Sequence, residues 1–242
     1  SRSIMFDQHA SHATAPTAVE QPAIDAGLRA YMLRVYNYMA GGLILTGVVA
    51  YGAAASGLYQ AIVGTVLFWI VLLAPLALVM LLSFRIERMS LGAAQLTFWA
   101  YAGLVGLSLA GIFLMYTGAS ITRVFFIAAT TFGAMSLYGY TTRNDLSRFS
   151  SFLLMGLIGI VTASLVNIFL ASSALQFSIS IIGVLVFVGL TAWDTQRIKE
   201  LYLEGEDATV AGKKAIIGAL GLYLDFLNLF LLMMQLFGDR RR

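Results

Sequence analysis

Apolar residues fill long unbroken stretches of this chain, and the polar positions gather between them. No Asp, Glu, Lys or Arg lies between Arg34 and Arg85, Arg88 and Arg123, Arg123 and Arg143, or Arg148 and Asp194. A helix that crosses a bilayer needs about 20 mainly apolar residues. On that criterion the pattern predicts six spans, at residues 35–55, 62–84, 91–116, 124–140, 149–170 and 174–193. Alternating strands of about 10 residues, the mark of a membrane barrel, are not seen. A seventh stretch, 215–237, is long enough but carries Asp225, Asn228 and Gln235. It holds 13 Leu, Ile or Phe, each worth roughly −0.3 to −0.6 kcal/mol at mid-helix. One aspartate near the centre costs roughly 2.5–3.5 kcal/mol. The balance slightly favours insertion, and length favours a full crossing over a re-entrant segment. Pro75, inside the second span, removes a backbone hydrogen bond and predicts a bend there.

Composition agrees with this pattern. Residues are 60% hydrophobic and 11% charged, with a mean hydropathy of +0.85; a soluble domain carries about 25% charged residues. A soluble enzyme or binding domain is excluded. The absence of cysteine removes disulfides, thiol catalysis and cysteine-held metals. Both histidines, His9 and His12, lie in residues 1–22, a polar, low-complexity segment that reads as a disordered tail. Their spacing matches a helical metal pair, but a flexible tail makes a poor metal site. The seven-helix domain is expected over 23–238, with an amphipathic lead-in from Pro22 and a basic tail at 239–242.

The net charge of +3 and pI near 9.2 acquire a meaning once the charges are placed. With the N-terminus inside, the inner side holds Arg2, Arg29, Arg34, Arg85, Arg88, Arg143, Arg148, Arg197, Lys199, Lys213 and Lys214. The outer loops of the first six spans hold Arg123 alone. That asymmetry follows the positive-inside rule and predicts a cytoplasmic N-terminus. The basic balance is therefore topological, and nucleic acid is not an expected partner. Arg240, Arg241 and Arg242 run against the rule if the seventh segment crosses fully.

Ionisable groups inside a membrane are costly and mark functional candidates. Asp225 lies ten residues into the seventh stretch, about 15 Å along a helix. Its neighbours three and four positions away are Gly221, Leu222, Asn228 and Leu229, so its own helix offers no cation. Asp194 follows the sixth span, eight residues from an expected helix end near Tyr202. The two carboxyls then share a depth on consecutive antiparallel helices. Paired carboxyls in a low-dielectric site resist double ionisation and tend to share one proton. Such a pair can latch two helices while protonated and repel when both charges are present. A guanidinium nearby would set the operating range. Arg85 at the end of the bent second span is the best-placed candidate, with Arg88 one turn on; both also suit simple interfacial anchors. A plainer reading of Asp194 is pairing with Arg197 at i+3.

Other signals are weaker. Gly118-Ala119-Ser120 resembles an intramembrane protease loop, but no histidine is available as base. The spans contain no lysine for a retinal Schiff base, and no enzymatic site is expected. Glu204, Glu206 and Asp207 read as a solvated loop, or as a cation-gathering pore mouth. Asn167 and Asn228 are expected to hydrogen-bond between helices.

The segments LYLDFLNLF at 222–230 and WDTQRI at 193–198 closely resemble the signature of the Bax-inhibitor (transmembrane Bax inhibitor motif) family. RVYNYMA at 34–40 and TTRNDLS at 141–147 are similar to it as well. The resemblance spans roughly 28–238 and implies an all-α membrane protein of the bacterial inner membrane, with six helices packed around a central C-terminal seventh. It further implies a pH-sensitive calcium leak gated by Asp194 and Asp225, where calcium would bind transiently, with Arg85 as latch arginine and Arg88 the alternative. Calcium ions, protons and the lipid bilayer are the implied partners. The alternative is a non-conducting regulator that binds other membrane proteins, such as a membrane-bound AAA protease. Some members carry an acid within the second helix; here none lies between Asp25 and Glu87, so a step relying on that group lacks its carboxylate.

Overall fold

The computed structural model describes residues 20–241, with side chains from Ala26 onward. The expected disordered tail, His9 and His12, and Arg242 lie outside the described residues. The described residues form nine α-helices: α1 (Glu20–Ala55), α2 (Leu58–Ile62), α3 (Val66–Arg85), α4 (Leu91–Leu109), α5 (Gly111–Met115), α6 (Gly118–Thr141), α7 (Ser150–Leu170), α8 (Ser173–Glu200) and α9 (Ala208–Phe237). Seven crossings are long and apolar enough to span a membrane; α4 and α5 together make one of them, and α2 is a short connector. Each of the seven predicted stretches holds a crossing, although the second starts at Val66 and not at 62, after a turn at 63–65, and the third is interrupted at Ala110.

The helices outrun their apolar bands. α1 has 36 residues, about 54 Å at 1.5 Å each, against a hydrocarbon core of about 30 Å. The lead-in and the first span are thus one continuous helix. α9 begins at Ala208, seven residues before the apolar stretch that announces it, because Asp207 caps it there. The Asp207 carboxylate accepts from the Thr209 and Val210 amides at 2.8 and 3.3 Å, satisfying two donors the first turn would leave open. These bonds hold the exposed carboxyl below its usual range. Ser90, Thr117 and Ser172 cap α4, α6 and α8 in the same way. Such caps let successive crossings meet in very short turns.

Pro75 stays inside a continuous α3. Its missing N–H would have served the carbonyl of Val71, four residues back. Ser108 on α4 reaches across instead, and its hydroxyl donates to Val71 O at 2.9 Å. The gap left by the proline therefore becomes a link between two helices. The same hydroxyl lies 2.9 Å from Leu104 O on its own helix, so one proton serves two carbonyls.

The C-terminus settles how the seventh segment runs. Asp239, Arg240 and Arg241 lie against the turn between α5 and α6, at the end of the bundle opposite the start of α1. Thr117 N donates to Asp239 O at 3.0 Å, and Arg241 N donates to Met115 O at 2.9 Å. Arg123 ion-pairs with Asp239 at 3.0 Å, and Ser120 Oγ accepts from Asp239 N at 2.8 Å. So α9 crosses the whole bundle and is not re-entrant. Arg240 and Arg241 sit with Arg123 on the far face. Arg29, Arg34, Arg85, Arg88, Arg143, Arg148, Arg197, Lys199, Lys213 and Lys214 fall at or near the other face, called here the basic face.

The core runs along α9, which is 61% buried over its apolar window against at most 39% for any other crossing. α1, α4, α6 and α8 pack on it, while α3 lies chiefly against α4 and α7 chiefly against α8. Asn167 on α7 donates to Gln176 on α8 at 3.1 Å, the interhelical bond expected of it. Asn228 does otherwise: its amide returns to Leu224 O on its own helix at 2.8 Å. The i−4 carbonyl is always within reach of such a side chain, and no partner on another helix displaces it.

Two outcomes follow. Ser108→Ala should cost about 1 kcal/mol by stranding the Val71 carbonyl, and close to nothing in a Pro75→Ala background, where an amide again serves it. A double-mutant cycle on thermal unfolding in detergent reads this coupling. Asp207→Ala should lower the melting temperature at neutral pH. Because the folded carboxyl is held low, its contribution is present above the unfolded value, near 4, and lost as pH falls through the folded one. The gap between wild type and variant should therefore close on acidification.

Candidate functional site

The structure brings Asp194 and Asp225 together. Asp194 lies six residues before the end of α8 and Asp225 in the second half of α9, and the two helices form the most extensive packing in the bundle. Their carboxyl groups lie within hydrogen-bonding reach of each other. Asp225 is 4% exposed, walled by Leu222 and Leu229 of its own helix, both fully buried. Asp194 is half-buried. Its Oδ2 passes over Gly221, lying 3.7 Å from where a Cβ would stand. A side chain larger than alanine at 221 would occupy the route between the two acids.

Donors are scarce at this contact. Among the described residues Asp225 Oδ2 is buried with no hydrogen-bond partner. Ionised carboxylates only accept, so the two acids can bond each other only with a proton between them. The cation whose charge reaches Asp194 is Arg197, one turn along α8. Arg197 is itself exposed and stacks over Trp193, 5.6 Å from the ring centroid, so it biases the pair from outside without entering it.

Arg85 and Arg88 are not brought to the pair. Arg85 ends α3 and Arg88 ends the single 3-10 turn that follows; both are exposed. Among the described residues neither hydrogen-bonds or ion-pairs with Asp194 or Asp225. The reason is the outboard position of α3, which packs chiefly on α4. Nor does a third acid or a histidine join the two carboxyls: the described residues contain no cluster of three such groups fit to hold a metal.

A second set of polar groups, not anticipated from the sequence, fixes how α8 is rotated. Thr195, next to Asp194, is fully buried and donates to Thr191 O at 2.7 Å. Its oxygen must then accept from Ser136 of α6, 3.0 Å away, and Ser136 accepts from Tyr36 of α1. The hydroxyls thus form one directed chain from α1 through α6 to α8. Gly139 lets α6 and α8 close on it, since a Cβ there would run into the Ala192 carbonyl. With Thr195 tied to α6, Asp194 is turned roughly 100° away from it, toward α9. At the basic face Lys199 donates to Tyr140 O at 2.8 Å, and Gln196 holds the 142–149 loop through Leu146 N and Asn144 O, both at 2.8 Å. In the next loop Glu206 is ion-paired to Lys214 at 2.6 Å, which ties that part of the acidic run into the bundle.

Comparison with known proteins finds relatives of similar length. The family model described as "Inhibitor of apoptosis-promoting Bax1" matches residues 28–242. The inner membrane protein YbhL of Escherichia coli K12 is 49% identical over 220 residues, 89% of this chain and 94% of its own length. A Rickettsia prowazekii protein, described as uncharacterized, is 49% identical over 229 residues, 94% of this chain and 97% of its own. A similarly described protein of Lactococcus lactis, YrjE, is 34% identical over 218 residues, covering 88% and 92%.

The scarcity of donors gives a stability test. Asp225→Asn supplies an amide that can donate to Asp194 without any proton from solvent. That variant should melt at or above wild type at pH 8, whereas Asp225→Ala, which leaves Asp194 facing an apolar hole, should melt lower. Thermal unfolding of the three proteins in one detergent at pH 6 and pH 8 decides between this geometry and a purely space-filling aspartate, for which Asp225→Asn, of the same shape, should track wild type equally at both pH values.

Proposed function

The chain belongs to the Bax-inhibitor family of membrane proteins, and on that premise we propose that it is a pH-sensitive cation leak, with calcium the permeant ion, gated by Asp194 and Asp225. The observation that carries this reading is the contact of two carboxyls with no donor but a shared proton. With the proton present, the pair draws α8 and α9 together at the centre of the bundle. Without it, two negative charges face each other. At about 4 Å and an effective dielectric constant near 20, like charges repel by about 4 kcal/mol. That exceeds the ~1 kcal/mol of a typical hydrogen bond and turns the contact from one that holds the helices together into one that pushes them apart. The freed carboxylates then offer oxygen ligands to a hard divalent cation, which binds transiently because two carboxylates fall short of the 6–8 oxygens calcium takes. No enzymatic step is part of this reading.

Orientation belongs to the same proposal. The basic face is assigned to the cytoplasm under the positive-inside rule, which puts there the N-terminal end of α1 and the end of α8 that lies six residues beyond Asp194. Protons from the cytoplasm then reach the pair without crossing the apolar half of α9. Arg85 lies on that face too, exposed and without a hydrogen bond or ion pair to either acid among the described residues. Arg197, already beside Asp194, is the resident cation of the closed arrangement.

Purified protein in liposomes loaded with a calcium-sensitive dye, examined from pH 6 to pH 8, tests the proposal. Wild type should leak calcium with a clear pH dependence, and Asp194→Asn and Asp225→Asn should each flatten it. Arg197→Gln should displace the profile and Arg85→Gln should not, unless α3 swings inward during gating. Absent flux, or flux unaltered by both asparagine variants, would sink the idea. Absent flux together with a membrane-protein partner lost on deleting residues 1–22 would instead identify a non-conducting regulator.

A further inference from the structure

The seam between α1 and α6 is open. α1 packs on α4 and α9, and α6 packs on α8 and α9, leaving a groove with α9 at its floor. Two cavities of about 510 and 600 Å³ succeed one another along it, and a smaller one of about 110 Å³ follows toward the far face. Their walls are almost wholly apolar. One polar contact crosses the first cavity, the hydrogen bond between Tyr36 and Ser136. Two glycines keep the groove empty: Gly133 lines the first cavity and Gly47 the second, and a Cβ at either meets nothing within 4 Å.

The mouth of the first cavity has a different chemistry. Arg29 and Tyr140 line it, and Lys199 donates to Tyr140 O at 2.8 Å with its ammonium 5.3 Å from the Tyr140 ring centroid. An ammonium has three N–H groups, so the bond to Tyr140 leaves further donors for an anion. Among the described residues no Asp or Glu lines this cavity. From Arg29 to Met39 the cavity follows α1 for ten residues, about 15 Å, or half of a hydrocarbon core about 30 Å thick. A cationic mouth over an apolar trough one leaflet deep fits one kind of occupant in a bilayer.

We propose that the first cavity of the α1–α6 seam seats an acyl chain of an anionic phospholipid from the basic-face leaflet, its phosphate held between Arg29 and Lys199. A peptide segment fits less well, because its backbone groups would find few partners along these walls. A free phosphate would use the mouth and leave the trough empty. The site stands apart from the carboxyl pair and does not depend on flux. It touches the gate's scaffold at one point, since Ser136 both lines the trough and bonds Thr195 beside Asp194.

Native mass spectrometry of the full chain, stripped of lipid in detergent and titrated with phosphatidylglycerol or phosphatidylcholine of identical chains, tests this. One phosphatidylglycerol should be retained about tenfold or more over phosphatidylcholine, the preference expected from two cations near a lipid phosphate. Arg29→Glu, on an exposed side chain, should remove most of that preference. Gly133→Leu, whose side chain enters the open trough, should lose the adduct of both lipids. Gly47→Leu, about 27 Å from Arg29 along α1 and beyond one leaflet, makes the same chemical change and should keep the adduct. Equal retention of the two lipids by wild type, an adduct indifferent to Gly133→Leu, or a lipid-free dimer in which a second copy fills the seam would each overturn the proposal. So would binding that requires residues 1–19 to be deleted first, since that would make the chain's own N-terminal segment the occupant.

Discussion

Two carboxylic acids stay in contact inside a helical bundle only while a proton lies between them, and the architecture around α8 and α9 is arranged about that constraint. Remove the proton and no cation enters the pair to replace it: Arg197 acts on Asp194 from outside, Asp225 is sealed by Leu222 and Leu229, and its Oδ2 has no donor among the described residues. A buried carboxylate with an arginine on it would be insensitive to proton supply across most of the useful range. A buried pair of carboxylates without one has no other way to hold together. The absence of a resident cation inside the pair is thus what makes the contact conditional.

Holding two acids at that distance requires the helices to be fixed in rotation as well as in depth. Gly221 opens the path from Asp194 to Asp225, Gly139 lets α6 and α8 touch, and the Tyr36–Ser136–Thr195 chain turns Asp194 toward α9. Each of these would be an undistinguished feature alone. Acting on one helix, they leave α8 little freedom to rotate the acid out of contact. Strain introduced by a second charge must then be relieved by separating helices, not by swinging a side chain.

Depth was legible in the sequence, whereas direction around the helix was not. Charge-free gaps located six crossings and length with apolar content the seventh, because an unpaired charge in hydrocarbon is expensive wherever it points. The same cost singled out Asp194 and Asp225, and comparable distance from a helix end suggested that they meet. Helix ends were less visible. α9 runs back to Ala208 because a cap decides where a helix begins and an apolar band decides where the bilayer lies. Arg85 ends α3 at the basic face without bonding either acid, and its position along α3 says nothing of α3 lying outboard against α4. The hydroxyl chain was hidden for a related reason. Thr97, Thr122, Thr130, Thr131 and Thr141 all return their hydroxyls to a carbonyl four residues back. Thr195 does so too, and only its packing against α6 makes it a bridge as well.

The two seams of the bundle differ in a way that bears on how the gate would move. Packed interiors are close to incompressible, so helices pushed apart at α8–α9 need free volume elsewhere. The α1–α6 groove offers part of that volume, and α6 is the helix bonded to α8 through Ser136 and Thr195. On the proposed reading, repulsion between Asp194 and Asp225 drives α8 and α6 together toward α1, closing the groove as the acids part. The single hydrogen bond from Tyr36 to Ser136 offers little resistance to that motion. A lipid chain lodged in the groove offers much more, because it would have to leave before α6 could move. Proton supply and lipid occupancy would then act on one displacement from opposite sides, the first by creating the repulsion and the second by holding the space into which it relaxes.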